Sequence, residues 1–458
     1  MHPISFQQVA RMAEGLLLQG DPAQTIRSVH FDSRSLTEGS LFVAVQGGNR
    51  DGHDFLLQAA DQGACGALIT DESKIPAGLP ASFGLILVND SLRGFQKLSG
   101  SYRRQFSFPF VAVTGSNGKT TTKDVIAHVL SQQLATYKTY KNYNNHLGVP
   151  YSLLQLQREL EVAVLELGMN HAGEIDLLAS LVKPQISVIT NISDAHIEHF
   201  GTKEKIALAK AELLSHTDPD GMVLLNGDNE YLRKISHLYD GKLLFYSVEG
   251  PADIWADEIE PTESGTRFTV HFRTGEHFPV FLSLHGRHNV SNALAAIAIG
   301  RHFGLAPETI CEALKSVSIS GMRFEVSPTA AGGVLINDAY NASPTSMKAS
   351  IETFAGLFPE RKRILVLGDM FELGEDSLKM HSEVGQFIDK YKADFHLLIA
   401  IGEASRHLHD AYTGEKRYFP TKEEALESIK ALNQPGNAIL FKASRGMKFE
   451  TLVEALKG

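Results

Sequence analysis

FPFVAVTGSNGKTTTKDVIAHVLSQQL, residues 108–134, decides how this chain is organised. Its start is apolar without alternation, the pattern of a strand buried on both faces. Gly115 and Gly118 bracket a short polar turn. TTTKDVIAHVLSQQL then carries apolar residues at helical spacing. Strand, glycine-rich turn and helix in that order make a phosphate loop. Glycines let backbone N–H groups face phosphate oxygens, and the helix N-terminus adds its dipole. Thr114, Gly115, Ser116, Asn117, Gly118, Lys119, Thr120 and Thr121 are the expected nucleotide-binding residues. Lys119 would reach the β- and γ-phosphates, and Thr120 would place its hydroxyl on Mg²⁺. The loop departs from G-x-x-x-x-G-K-[ST]. Position 113 is valine, and the match is the shorter G-x-x-G-K-T from Gly115. An ordinary Gly/Asn turn is the plainer alternative.

The same order recurs downstream. EVAVLELG (161–168) precedes GEIDLLASLV, and ISVITNIS (186–193) precedes a helix at about 202–216. MVLLNGD (222–228) is a further strand. Apolar strands alternating with helices imply a parallel sheet covered on both faces. TRFTVHF and FPVFLSLHG alternate instead, so antiparallel strands are expected at this domain's margin. HNVSNALAAIAIGRHFG (288–304) reads as a buried helix ending at Gly304. Upstream, SLRGFQKLSGSYRRQF is an amphipathic helix. SLFVAV (40–45), CGALIT (65–70) and GLILVN (84–89) belong to a small α/β unit. Beyond about Ser320, VLINDAY (334–340), RILVLGDM (363–370), HLLIAIG (396–402) and NAILFKAS (437–444) repeat a doubly wound pattern. The expectation is an α/β chain of three domains: a small N-terminal domain over 1–88, a central P-loop parallel-sheet domain over 89–319, and a Rossmann-like C-terminal domain over 320–458.

Composition agrees. A chain of 458 residues suggests about three domains. Hydrophobic residues at 43% and charged residues at 21% fit a soluble protein with buried cores rather than long disorder. The net charge of −10 argues against a general nucleic-acid binder. Two cysteines, Cys65 and Cys311, exclude a disulfide scaffold or a Cys-rich metal site and fit a reducing compartment. The N-terminus lacks the pattern of a secretory signal. No stretch reaches the roughly 18 apolar residues of a membrane span. A cytoplasmic protein without membrane insertion is expected.

Several side chains stand where ligands gather in open α/β sheets, at the carboxyl ends of strands. Glu166 ends one strand, and a carboxylate suits Mg²⁺. His196 lies past another, but imidazole prefers softer metals and His199 is a nearby competitor. Asn144 and Asn145 fall in a loop. Asn289 and Asn292 fall at a helix start, where capping is the plain reading. Asp338 ends a strand and could accept ribose hydroxyls. Ser33 and Arg34 precede a strand, NRDGHDF (49–55) is a glycine-containing turn, and Ser444 and Arg445 follow a strand.

TGSNGKTTT resembles the loop of the Mur ligase family, ATP-dependent amide-forming ligases of cell-wall precursor synthesis. KNYNNHLGVP (141–150), LELGMNHAGEI (165–175), TNISDAHIEHFGTKEKIALAKAE (190–212), GRHNVSNALAA (286–296), NDAYNASPTSM (337–347) and LGDMFELGEDSLKMH (367–381) follow in order, with DSRSLTEGSLFVAVQG near the start. The resemblance covers essentially the whole chain. It implies that ATP, as substrate with Mg²⁺, drives the joining of D-alanyl-D-alanine to a UDP-N-acetylmuramoyl-tripeptide through an acyl phosphate. Three domains closing around the site would keep water out. By resemblance Lys119, Glu166, His196, Lys210 and Asn144 are the catalytic set. Thr120, Glu166, His196 and a carbamylated Lys210 serve Mg²⁺. Asn292 contacts adenine, and Arg323 and Asp338 reach the nucleotide from the third domain. Ser33, Arg34, Asp51, Gly52 and His53 hold the uridine diphosphate end. Asn145, Asn341 and Ser346 contact substrate, and Ser444 and Arg445 close over the dipeptide. The chain is expected to act as a monomer. Another ligase of the superfamily, or a P-loop regulatory ATPase, are the competing readings.

Overall fold

The computed structural model describes every residue except Asn49, Ser320 and Gly458. The first residue of the NRDGHDF turn and the expected boundary at Ser320 therefore lie outside the described residues. The chain divides into two compact units. The first comprises Met1–Val113, Gln133–Ser187 and Glu212–Val223; the second comprises Thr114–Gln132, Val188–Ala211 and Leu224–Gly458.

In the first unit a five-stranded sheet runs in the order Leu16–Gln19, Gly84–Leu87, Ala64–Ile69, Ser40–Val43, Ser28–His30. Only the Leu16–Gln19 edge pairs antiparallel. Phe42, Leu56, Ile69 and Leu85 are buried in its core. The amphipathic segment is the helix Ser91–Arg103, capped where the Asp90 carboxylate accepts the Arg93 N–H at 2.8 Å. It packs against the helices Phe6–Ala13, Gly148–Leu154 and Glu174–Val182. Its last residue, Arg103, is buried with no carboxylate partner among the described residues. The guanidinium donates to the carbonyls of Val182, Lys183 and Phe106 and lies 3.6 Å from the centre of the Phe110 ring. Two of those carbonyls end the helix Glu174–Val182, the negative end of its dipole. Burial still pulls the Arg103 pKa down to about 10. Also in this unit, Val162–Glu166 runs parallel to Thr136–Lys138 on one side and to the Phe110–Thr114 strand on the other, with Glu166 in register with Val113.

In the second unit, Ile254–Thr262, Gly265–Phe272 and His277–Leu282 form the expected antiparallel run. The helix Arg287–His302 is buried over most of its circumference and packs on the helix Lys119–Leu130. A six-stranded sheet follows in the order Glu325–Pro328, Val334–Asn337, Asn437–Lys442, Lys362–Gly368, Leu397–Ile401, Lys416–Phe419. Only the first strand is antiparallel. Its two faces are covered by separate apolar layers, one around Met347, Ile351, Phe354 and Val384, the other around Ile429, Phe449, Leu452 and Val453. That two-sided burial is why its strands read as unbroken apolar runs. The strand expected to end at Asp338 stops at Asn337. Among the described residues, no helix is long and apolar enough to cross a membrane.

Burial holds the His288 imidazole down to about 4, and lowers that of the buried His381. A histidine whose folded pKa lies below its unfolded value of about 6.5 binds fewer protons when folded. Its contribution is complete above that pH and is lost as acid forces the ring to charge. Thermal stability should therefore fall as pH drops from about 6.5 toward 4. In His288→Gln the dependence should flatten by up to about 1.4 kcal/mol per pH unit. Parallel melting-temperature curves for the two proteins would contradict the assignment.

Candidate active site

In the second unit, the phosphate loop connects the Phe110–Thr114 strand to the helix Lys119–Leu130. In this loop Thr114, Ser116, Thr120 and Thr121 are buried. Gly115 has φ 147° and Gly118 φ 79°, both in the region that favours glycine. Gly118 opens the helix without a side-chain cap among the described residues, so first-turn N–H groups remain for an anion.

The segment Thr190–Ser193 braces the loop. Ser116 and Asn117 N–H groups donate to the Asn191 carbonyl and side-chain oxygen, each at 2.8 Å. Asn117 Nδ2 donates to Ser193 Oγ at 2.8 Å, and the Ser193 N–H donates to Ser116 Oγ at 3.0 Å. Thr190 Oγ1 donates to the Asn117 carbonyl. A Cβ on Gly115 would sit 1.9 Å from that Oγ1. Lys119 Nζ donates to the carbonyls of Gly115 at 2.8 Å and Ser116 at 3.1 Å. The brace belongs to the TNISDAH stretch, where no local pattern marks Thr190, Asn191 or Ser193.

Asn289 and Asn292 do not cap their helix, because Gly286 is the cap and both lie buried in its first turns. Asn292 Oδ1 accepts from Thr122 Oγ1 at 3.1 Å and would lie 2.7 Å from a Cβ on Gly118. Arg323 Nη2 donates to Thr120 Oγ1 at 3.2 Å, and its guanidinium lies 3.8 Å from the centre of the Tyr340 ring. Asp338 accepts from Lys442 Nζ at 2.7 Å, from Ser350 Oγ and from the Phe324 N–H at 3.2 Å. His196 sits in the left-handed region at φ 65°, its Nδ1 2.6 Å from Glu372 Oε2. Burial, then the charge of Lys119, pushes the imidazole pKa down. Lys210 is 1% exposed, and burial, reinforced by Lys119, drives its ammonium far below the usual lysine range.

The other expected site residues of this unit bond within it. Ser346 completes a capping box with Ser343. The Asn341 carbonyl accepts from Lys442 at 3.2 Å. Ser444 Oγ accepts the Phe371 N–H at 2.9 Å, and Arg445 pairs with Glu450 at 3.2 Å.

In the first unit, Glu166 is 1% exposed. Asn144 Nδ2 donates to its Oε1 at 2.7 Å, while Oε2 has no hydrogen-bond partner among the described residues. A buried carboxylate oxygen left open in this way fits a cation. Asn145 Oδ1 accepts the N–H groups of Leu147 and Gly148 at the start of its helix. Ser33 and Arg34 lie in a short 3₁₀ turn, with Arg34 on Asp32 at 2.8 Å and its side chain 84% exposed. Asp51 opens the turn Gly52–Phe55 and is held well below the usual carboxylate range by Lys74 first, then His53. The His53 ring is spent inside: Nδ1 lies 2.6 Å from Asp51, and Nε2 accepts the Thr70 N–H at 3.0 Å. Among the described residues, no group of three or more His, Cys, Asp or Glu is placed to hold a metal.

Comparison with known proteins sets this geometry in a family. The Mur ligase middle domain matches residues 113–300, the glutamate ligase domain of Mur ligases residues 322–445, and the Mur ligase family catalytic domain residues 25–93. The UDP-N-acetylmuramoyl-tripeptide--D-alanyl-D-alanine ligase of Bacillus subtilis is 39% identical over 98% of this chain and 97% of its own length. The chain belongs to the Mur ligase family. MurF from Acinetobacter baumannii has a similar structure, with TM-score 0.90 and 31% identity over 100% of this chain and 99% of that one. MurF ligase from Thermotoga maritima in complex with ADP gives TM-score 0.84 and 28% identity over 94% and 97%. The fold is thus the three-domain, mixed α/β Mur ligase fold with parallel sheets.

Gly115→Ala should lose ADP binding by calorimetry and lower the melting temperature, because its methyl group would overlap Thr190 Oγ1. ADP affinity equal to that of the unaltered protein would show that the brace does not set the loop.

Proposed function

We propose that the chain is an ATP-dependent, ADP-forming ligase that joins D-alanyl-D-alanine to a UDP-N-acetylmuramoyl-tripeptide in cytoplasmic peptidoglycan precursor synthesis. The observation that carries this is the braced phosphate loop in a chain 39% identical, end to end, to a ligase of that name. The domains are read as 1–88, binding the UDP end, 89–319, binding ATP, and 320–458, closing over nucleotide and dipeptide; the family matches at 25–93, 113–300 and 322–445 support that reading. The enzyme acts as a monomer.

The terminal carboxylate of the tripeptide attacks the γ-phosphorus of ATP and ADP leaves. The amine of D-alanyl-D-alanine attacks the carbonyl of the resulting acyl phosphate, and inorganic phosphate leaves. The N–H groups of the loop and Lys119 take up charge on the transferring phosphoryl group, and Arg323 adds a second cation at Thr120. Asn292 lies under the loop as well as serving adenine. Ser33 and Arg34 offer a hydroxyl and an exposed guanidinium to the diphosphate. His53, engaged on both nitrogens, holds their neighbouring turn.

Glu166, with its open Oε2, is read as a residue that would hold Mg²⁺, and Thr120, His196 and Lys210 are read likewise. When bound, the ion neutralises charge on the β- and γ-phosphates. Lys210 suits that set as a carbamate. Only the neutral amine adds CO₂, giving an N-carboxylate and releasing a proton, and burial shifts this amine toward its neutral form.

Three measurements test the proposal. ADP release should require both the UDP-linked tripeptide and D-alanyl-D-alanine. Single amino acids in its place should be inert, and release independent of any amine would point to a nucleotide switch instead. Lys119→Ala should abolish ligation in a folded protein. Lys210→Ala should lose most activity and regain part of it with added short carboxylates; full activity would remove Lys210 from the site.

A further inference from the structure

The contact between His196 and Glu372 joins two parts of the second unit that are 176 residues apart in sequence. One partner sits before the helix Ile197–Phe200; the other sits after the strand Lys362–Gly368 of the six-stranded sheet. Both are non-glycine residues in the left-handed region, at φ 65° and φ 62°. Such backbone persists only where its surroundings fix it, and the loop of Glu372 is fixed. The Met370 N–H donates to Nε2 of the buried His381 at 3.0 Å, and the Phe371 N–H to Oγ of the buried Ser444 at 2.9 Å. The Glu198 N–H reaches the Glu372 carbonyl at 3.4 Å, on the His196 side.

Stability does not account for the pair. The Glu372 side chain is half exposed, and exposed ion pairs contribute little. What the contact does is choose a tautomer. A carboxylate at Nδ1 accepts the Nδ1–H, which leaves the lone pair on Nε2. Carboxylates on histidine ligands act in this way in metal sites generally.

We propose that Glu372 is a positioning residue: its carboxylate fixes His196 with Nδ1 protonated and Nε2 free for the nucleotide-bound metal, and it does so only while the 369–376 loop lies against the 197–200 helix. Arrival of that loop thereby becomes a condition for presenting His196. The proposal rests on the reading of His196 as a metal-side residue.

The test uses the full-length protein. Long-range ¹H–¹⁵N spectra of the metal-free protein, with the His196 signal assigned through His196→Ala, should show one tautomer, protonated at Nδ1. Glu372→Ala should shift the ring toward the Nε2–H form. Glu372→Gln, whose amide oxygen still accepts, should restore the original tautomer. Titration with Mn²⁺ in the presence of ADP, followed by electron paramagnetic resonance, should show affinity about 10–100-fold weaker in Glu372→Ala and closer to normal in Glu372→Gln. An unchanged tautomer in Glu372→Ala overturns the proposal. So does Mn²⁺ affinity that falls in His196→Ala but not in Glu372→Ala, which leaves the reading of His196 intact. Unchanged affinity in His196→Ala removes that reading, and the proposal with it.

Discussion

The second unit is organised around a backbone constraint at Gly115–Gly118. N–H groups can converge on a phosphate only if the chain leaves the φ range that side chains tolerate, and both glycines do so. A loop in that state is not stable by itself, because its polar groups would be left without partners on burial. Thr190, Asn191 and Ser193 supply the partners. The price of the fit is that Thr190 occupies the space where a Cβ on Gly115 would go. Asn292 stands in the same relation to Gly118. Each glycine therefore answers to two demands at once, a φ value and a close neighbour.

Three buried cations show three ways of handling charge away from water. Arg103 spreads its charge over three carbonyls and the Phe110 ring. Lys123 has the Asp124 carboxylate at 3.2 Å, with both side chains fully buried. Lys210 has the Lys119 cation as a neighbour that opposes its charge. The first two arrangements preserve an ion; the third works against one. An amine in that position is shifted toward its neutral, nucleophilic form. Burial beside a like charge thus separates Lys210 from the structural cations.

Much of the fold was legible because it is periodic. Unbroken apolar runs at 334–340, 363–370, 396–402 and 437–444 became strands of a sheet buried on both faces, and alternation at Gly265–Phe272 and His277–Leu282 became antiparallel pairs. The phosphate loop was legible because its glycines, lysine and threonines are consecutive. The brace, Glu372 and the burial of the loop were not legible. Their partners are far away in sequence, and no local pattern says that Asn191 faces Asn117 or that His196 meets Glu372. Helix capping misled for Asn289 and Asn292, since a glycine three residues before Asn289 took the cap and left both amides for the interior.

Asp338, expected at the nucleotide, also has a task in packing. Its oxygens accept from Lys442, Ser350 and the Phe324 N–H. That last bond matters most, because Met322 and Phe324 are both left-handed, at φ 60° and φ 53°, and Arg323 lies between them. A three-residue segment with two strained members needs external ties. It has them in Asp338 at Phe324 and in the Tyr340 N–H, which donates to the Met322 carbonyl at 3.2 Å. Tyr340 also lays its ring against the guanidinium. The NDAY stretch is thus the mount for Arg323. The arginine reaches Thr120 because an acid and an aromatic two residues apart hold its backbone in a conformation it would not otherwise keep.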